Sequence, residues 1–186
     1  FKGGTSLSKV WGVIDRFSED IDLAVDRGLF GLEGDLTIRQ LKELRKVSSL
    51  FVSNELCEEL KNAVKQYGLD SYLTIEAQPN GEGDKTYPEP RQIFIKYKSL
   101  FDTELSYVKP QIILEIGARS LFEPTQKVSI NSMVTTAFPT VHTSVVKTEI
   151  TTAVAAKTFL EKAFLLHELF TTNACYKAER KSRHLY

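Results

Sequence analysis

The stretch FKGGTSLSKVWGVIDRFSEDID, residues Phe1–Asp22, carries the two patterns from which the fold can be predicted. The acidic pattern is Asp20-Ile21-Asp22. Alternate side chains of a strand share a face, so both carboxylates lie on one side and Ile21 on the other. Two such carboxylates repel each other unless a cation lies between them, and hard oxygen ligands suit Mg²⁺. The other pattern, Gly3-Gly4-Thr5-Ser6, places glycines before a helix, where backbone N–H groups can approach a phosphate. Together the patterns predict a site for a nucleoside triphosphate and its metal ion.

These two patterns also have a simpler explanation, in which a glycine turn and an acidic surface strand are unrelated. A GG[ST] sequence is a weak motif by itself, and so is DxD. Their order here is strand end, turn, helix and then acidic strand. That order is uncommon by chance and favours the functional interpretation.

The overall composition indicates an ordinary globular protein. The 186 residues suffice for one sizeable core or two small lobes, and 24 basic residues balance 24 acidic ones. The two distant cysteines, Cys57 and Cys175, suit a reducing cytosol rather than a disulfide framework. No run approaches the roughly 20 apolar residues of a membrane span. We therefore predict a cytoplasmic protein without membrane contact. Because the chain begins without Met and stops within a patterned segment, we expect both ends to be truncated.

Apolar periodicity predicts the remaining elements. Strands are predicted at 20–25, 72–77, 91–98 and 112–116, and extended structure at 128–146. Helices are predicted after the glycine turn, twice within 37–67, with Gly68 ending the second, and finally up to about Phe170. The predicted caps of these helices are Thr5 or Ser6, Ser53 or Asn54, and Thr151 or Thr152.

Glu115 is an acid within the apolar run Ile112-Ile113-Leu114-Glu115-Ile116. A buried carboxylate is costly unless it is paired or binds a metal. One interpretation is a third carboxylate beside Asp20 and Asp22, able to orient or deprotonate an attacking hydroxyl. The alternative is a glutamate at the edge of the sheet, in a salt bridge with Arg119 or a lysine.

Two sets of basic residues could contact phosphate. Lys162 lies among apolar residues of the last helix, where it could reach triphosphate oxygens as a point charge. A surface lysine whose stem covers apolar side chains is the commoner case. The basic tail could contact polyphosphate or an RNA backbone, or could be an ordinary solvated helix start. Its cationic residues are Lys177, Arg180, Lys181 and Arg183.

Several stretches, in order along the chain, resemble the motifs of the nucleotidyl transferase AbiEii/AbiGii toxin family. The first two are Phe1-Lys2-Gly3-Gly4-Thr5-Ser6-Leu7-Ser8-Lys9 and Arg16-Phe17-Ser18-Glu19-Asp20-Ile21-Asp22-Leu23. The others are Leu114-Glu115-Ile116-Gly117-Ala118-Arg119-Ser120, Lys157-Thr158-Phe159-Leu160-Glu161-Lys162, and the closing Arg180-Lys181-Ser182-Arg183-His184-Leu185-Tyr186. This last stretch resembles the start of a late family motif that usually continues to an Asp.

The resemblance implies a DNA polymerase β-like nucleotidyltransferase, with Asp20, Asp22 and Glu115 as Mg²⁺ ligands and Lys162 contacting the nucleotide. It also implies a bacterial toxin or abortive-infection protein that uses an NTP and has a separately encoded antitoxin. Some members of the family add nucleotides to the 3′ end of tRNA, so tRNA is the predicted acceptor. The predicted phosphate-binding residues are Gly3, Gly4, Thr5, Ser6, Arg16 and Ser18.

The predicted fold is α+β, a mixed sheet flanked by helices with a helical C-terminal part. We predict a catalytic core over 1–146 and the start of a truncated helical region over 147–186. Two other functions stay open. The same fold could modify a protein or a small molecule, or the chain could bind an NTP or the antitoxin without catalysis. The intact carboxylates argue against the non-catalytic alternative.

Overall fold

The structure is a computed structural model that describes residues 1–15, 18, 20–82, 86–99, 109–121, 124–140 and 148–171. The chain forms two compact units. One comprises Phe1–Ser18 together with Glu123–Tyr186, and the other comprises Glu19–Phe122. The domain boundary predicted between 146 and 147 stays a prediction.

The Glu19–Phe122 unit contains a four-stranded mixed sheet, in agreement with the predicted α+β class. Its strands are β1 (Asp20–Ala24), β2 (Leu73–Ala77), β3 (Arg91–Tyr97) and β4 (Gln111–Gly117). Their order is β1-β4-β3-β2, and only the β1–β4 pair is parallel. All four strands were predicted to within two residues, because their alternating or uniformly apolar patterns are unbroken.

The helical part of this unit comprises α2 (Ile38–Phe51), a π-helical turn (Val52–Leu56) and α3 (Cys57–Gln66). Thr37 caps α2 in a capping box with Gln40. A short 3₁₀ helix, Arg27–Phe30, precedes it after β1. The helices end at Gly68, as predicted, in a left-handed conformation with φ of 67°.

The predicted break between these two helices is wrong. Ser53 donates a hydrogen bond to the Leu50 carbonyl, 3.2 Å away, instead of capping a new helix. The backbone continues through the π-helical turn, which shifts the phase of the side chains by part of a turn. Val52 and Cys57 are both buried against the sheet, and this burial accounts for a continuous helix.

One face of the sheet and these helices form the core of the Glu19–Phe122 unit. The buried residues of this core are Val52, Cys57, Ile75, Ile93, Leu114 and Ile116. Since strand side chains alternate, the residues between these positions lie on the opposite face. That second face carries the acidic residues of β1 and β4.

The other unit contains a two-stranded antiparallel sheet, β5 (Thr125–Ile130) and β6 (Thr148–Ala153). Its helices are α1 (Gly3–Lys9), α4 (Met133–Ala137) and α5 (Ala155–Thr171). The nitrogen of Phe1 donates to the Thr151 carbonyl, and the Ala153 N–H donates to the Phe1 carbonyl, each at 2.8 Å. Phe1 thus pairs with β6, in agreement with the predicted strand end before the glycine turn.

Three predictions for this unit are wrong. The last helix begins at Ala155, because the segment containing Thr151 and Thr152 pairs with β5, and β-branched threonines suit strands. Within the predicted extended region 128–146, Met133–Ala137 is helical because Ser132 caps it, accepting from the Thr135 N–H at 3.1 Å. The spacing of Leu7, Val10, Trp11 and Ile14 predicts a longer first helix than the structure has, since α1 ends at Lys9. Residues 141–147 lie outside the described part of the chain.

Candidate active site

The carboxylates of β1 and β4 are brought together by the parallel pairing of these two strands. In the register, Asp22 lies opposite Glu115, and Asp20 lies opposite Ile113. Asp20, Asp22 and Glu115 occupy the sheet face opposite the core, whereas their neighbours Leu114 and Ile116 are buried. Three acids from sequence positions 20 to 115 therefore form one cluster on a rigid sheet. All three are partly buried.

Glu115 is oriented by Gln92, a residue that the sequence did not indicate. Gln92 lies opposite Glu115 in the antiparallel pairing of β3 with β4. Its Nε2 donates a hydrogen bond to Glu115 Oε1 at 2.7 Å, and its backbone N–H donates to Gln78 Oε1 at 3.2 Å. Only the register reveals this contact, because Gln92 is just one polar residue in a strand when the sequence alone is read.

This hydrogen bond bears on the two interpretations of Glu115, whose role as a metal ligand or base stays a prediction. No ion pair links Glu115 to Arg119 or to a lysine within the part of the chain that the structure describes. Its hydrogen-bond partner in the sheet is the neutral Gln92 amide. That favours a role in binding a cation or a hydroxyl over a structural salt bridge.

The acidic cluster provides the donor atoms that Mg²⁺ prefers, although its side chains do not converge on one point. Among the described residues, no group of three or more His, Cys, Asp or Glu side chains is arranged to hold a metal ion. Mg²⁺ ordinarily takes one or two carboxylates and completes its octahedral shell with water and substrate phosphates. The hard oxygens of Asp20, Asp22 and Glu115 fit that requirement by their chemistry.

The Gly-Gly-Thr-Ser segment forms the first turn of α1 itself. The helix begins at Gly3, whose φ of 77° lies in the left-handed region that favours glycine. Ser6 is fully buried, and its Oγ donates to the Gly3 carbonyl at 2.8 Å. The prediction that Thr5 or Ser6 caps the helix is therefore wrong. Ser6 stabilises the glycine turn, and the phosphate-binding roles of Gly3, Gly4, Thr5 and Ser6 stay predictions.

The remaining predicted site residues are described less completely. Lys162 lies within α5 and is partly buried, and the neighbouring Glu161 forms an ion pair with Lys2 at 3.4 Å. Ser18, the last residue of the Phe1–Ser18 segment, is partly buried. Arg16 and the basic tail lie outside the described residues, so their predicted roles are not tested. The glycine turn and Lys162 belong to one unit and the acidic cluster to the other.

A mixed α+β sheet with three acids on one face is consistent with a nucleotidyltransferase-like protein. The chain belongs to the AbiEii family, since the family model described as nucleotidyl transferase AbiEii toxin, type IV TA system, matches residues 1–186, the whole chain. No curated protein and no solved structure matches it. Membership makes the chain a transferase toxin of a toxin–antitoxin system and implies an NTP substrate and an antitoxin partner. Among the described helices, none has the length and apolar character to cross a membrane.

Proposed function

We propose that the chain transfers a nucleoside monophosphate from an NTP to an acceptor hydroxyl, an EC 2.7.7-type reaction, and that the acceptor is the 3′ end of tRNA. The observation that carries the proposal is the β1–β4 register, which aligns Asp22 with Glu115 beside Asp20. Such a row of carboxylates suits the handling of a triphosphate with Mg²⁺ in the cytoplasm. Family membership gives the transferase class, and the acidic cluster gives the residues that would carry out the transfer.

In this proposal, Glu115 orients the acceptor hydroxyl and accepts its proton. The hydroxyl oxygen forms a bond to the α-phosphorus, the bond between that phosphorus and the bridging oxygen breaks, and pyrophosphate leaves. Mg²⁺, when bound by Asp20, Asp22 and Glu115, would neutralise negative charge on the phosphates. Gln92 fixes the Glu115 carboxylate at 2.7 Å, so the base is positioned before substrate arrives.

The triphosphate would be held by the other predicted residues. The backbone N–H groups of Gly3 and Gly4 and the Thr5 and Ser6 segment would bind the β- and γ-phosphates. Additional phosphate contacts would come from Arg16 and Ser18, and Lys162 would steady the nucleotide as a point charge.

The direct test replaces the aspartates while preserving their size. We expect D20N and D22N each to lower the rate of nucleotide transfer by roughly 10²–10³-fold, since each removes a charge that binds the metal–triphosphate complex. The matched control is D35N, at an exposed loop position outside the acidic cluster. Transfer of α-labelled nucleotide to tRNA would be measured with Mg²⁺. Unchanged rates for D20N and D22N would exclude the assigned site.

A further inference from the structure

A cleft lies in the Glu19–Phe122 unit, at the end of the sheet where β2 and β4 end and β3 begins. Its volume is about 440 Å³, within the usual range for small-ligand sites. Arg45, Tyr87, Glu89 and Arg119 line it together with three prolines. Arg45 comes from α2, on the core side of the sheet, so the cleft is separate from the acidic cluster on the opposite face.

The two arginines give the cleft an excess of positive charge. Neither Arg45 nor Arg119 forms an ion pair within the part of the chain that the structure describes. Within the described ranges, the buried Arg45 Nε has no hydrogen-bond partner, which is an unusual state for a guanidinium nitrogen. Lys46 does not line the cleft, but its Nζ lies 5.9 Å from the centre of the Tyr87 ring.

Among the described residues that line the cleft, Glu89 is the one acid, and its oxygens form contacts that build the wall. Glu89 Oε1 accepts hydrogen bonds from the backbone N–H groups of Ala118, at 2.7 Å, and Arg119, at 3.2 Å. Its Oε2 accepts from Ser48 Oγ at 2.7 Å. Both carboxylate oxygens are therefore occupied. They hold the Arg119 backbone in place, and no ion pair links Glu89 to a guanidinium group among the described residues.

The walls of the cleft are fixed by further polar contacts. Arg27 donates to the carbonyls of Ala118 and Arg119, which holds the chain after β4. On the opposite wall, buried Arg91 donates to Asn80 Oδ1 at 2.8 Å and to the Gln78 carbonyl. Burial lowers the pKa of Arg91 from its usual value. The cleft is thus supported by hydrogen bonds on both sides.

We propose that this cleft, the Arg45–Arg119 cleft, binds a nucleotide unit, with its phosphate at the two guanidinium groups and its base against Tyr87. Arginine forks match phosphate oxygens, and aromatic rings bind bases by stacking with little sequence preference. A nucleotide of the RNA acceptor strand and a free nucleotide share this chemistry. We argue for the acceptor strand, and to that extent the inference rests on the proposed function.

The position of Arg119 favours the acceptor strand. Arg119 follows Glu115 by four residues, so their Cα atoms are at most about 14 Å apart. A strand whose 3′ end lies at Glu115 would therefore have a nearby upstream nucleotide within reach of the cleft. Binding there would hold the acceptor without occupying the carboxylates.

The test compares the R45Q/R119Q variant with R39Q, which removes an exposed arginine of α2 that does not line the cleft. Binding of a fluorescent single-stranded RNA oligonucleotide to the whole chain would be measured by polarisation, without metal ion or NTP. We expect R45Q/R119Q to bind at least tenfold more weakly. Its salt dependence should be less steep by about 0.7, which corresponds to one phosphate contact on a single strand. R39Q should bind like the original chain.

A parallel titration with a fluorescent free nucleotide separates the two sources. If R45Q/R119Q loses only oligonucleotide binding, the result supports the acceptor strand as the ligand of the cleft. If R45Q/R119Q loses only free-nucleotide binding, the result supports a free nucleotide as the ligand. Equal behaviour of R45Q/R119Q and R39Q towards both probes would overturn the proposal. Because Arg45 is partly buried, R119Q and Y87L are measured as well, with circular dichroism as the check of folding. Since no transfer occurs in these titrations, a failed cleft and a failed transferase assignment give different results.

Discussion

Glu115 shows how one side chain receives a defined orientation from its neighbour on the sheet. Its carboxylate is partly buried, carries no described ion pair, and accepts a hydrogen bond from Gln92 at 2.7 Å. A side chain that is hydrogen-bonded to a metal ligand or a catalytic base usually fixes the orientation of that ligand or base. Loss of such a side chain lowers metal affinity or activity. Gln92 is therefore a positioning residue in the proposed reaction.

Replacing Gln92 by leucine should slow nucleotide transfer by about 10–100-fold, because Glu115 loses the donor that fixes its carboxylate. The Mg²⁺ concentration that gives half-maximal activity should rise as well, a change that a purely structural defect would not produce. Both quantities follow from initial rates across a Mg²⁺ series.

The control for this substitution is Q126L, at an exposed position of β5. It makes the same change of side chain on a strand outside the acidic cluster. Equal Mg²⁺ dependence in Q92L and the original chain would show that Gln92 does not position Glu115.

At the scale of elements, the local sequence pattern predicted the strands of the four-stranded sheet. The start of α5 and the contact between Gln92 and Glu115 depend on long-range strand pairing. The alternation Asp20-Ile21-Asp22 predicted correctly which residues share a face of β1, since alternation is a property of any strand. The start of α5 was misplaced because Thr151 and Thr152 can serve as caps or as strand residues, and only pairing with β5 decides between them. Gln92 was missed for the same reason: its partner Glu115 is distant in sequence.

The first turn of α2 offers a test of element stability. Thr37 accepts a hydrogen bond from the Gln40 N–H, and the Gln40 side chain accepts from the Thr37 N–H. T37A removes the side-chain acceptor of this capping box and should lower the free energy of unfolding by about 1 kcal/mol. Urea unfolding followed by far-UV circular dichroism would measure it.

The matched substitution T37S keeps a hydroxyl at the cap and should lose no more than a few tenths of a kcal/mol, since serine is as good an N-cap as threonine. If T37A and T37S unfold at the same urea concentration, the capping box does not stabilise the helix.

At the scale of the whole molecule, the chain divides into two units, each with its own sheet. The sequence did not reveal this division, because the Phe1–Ser18 segment joins residues from the far end of the chain through backbone pairing at Phe1. Within the Glu19–Phe122 unit, the buried face of the sheet supports the acidic face. Stability and site geometry are therefore coupled through the same strands.

Ile93 lies at the centre of that buried face and is completely inaccessible to solvent. I93A should lower the free energy of unfolding by about 2–5 kcal/mol, through lost burial and the cavity that remains. I93V should lower it by roughly 0.5–1.5 kcal/mol. The exposed control I38A should change it by less than about 0.5 kcal/mol, because Ile38 is 77% exposed. A loss in I93A no larger than in I38A would contradict the assigned core.

Transfer of nucleotides to tRNA, with the acidic cluster as the active site, is the proposed reaction. The most direct measurement incubates the chain with each α-labelled NTP, Mg²⁺, total tRNA and total protein, and then separates the RNA and protein fractions. We expect label at the 3′ end of tRNA with at least one NTP, and none when D20N/D22N replaces the original chain. Label in the protein fraction alone, or equal labelling of tRNA by D20N/D22N, would contradict it.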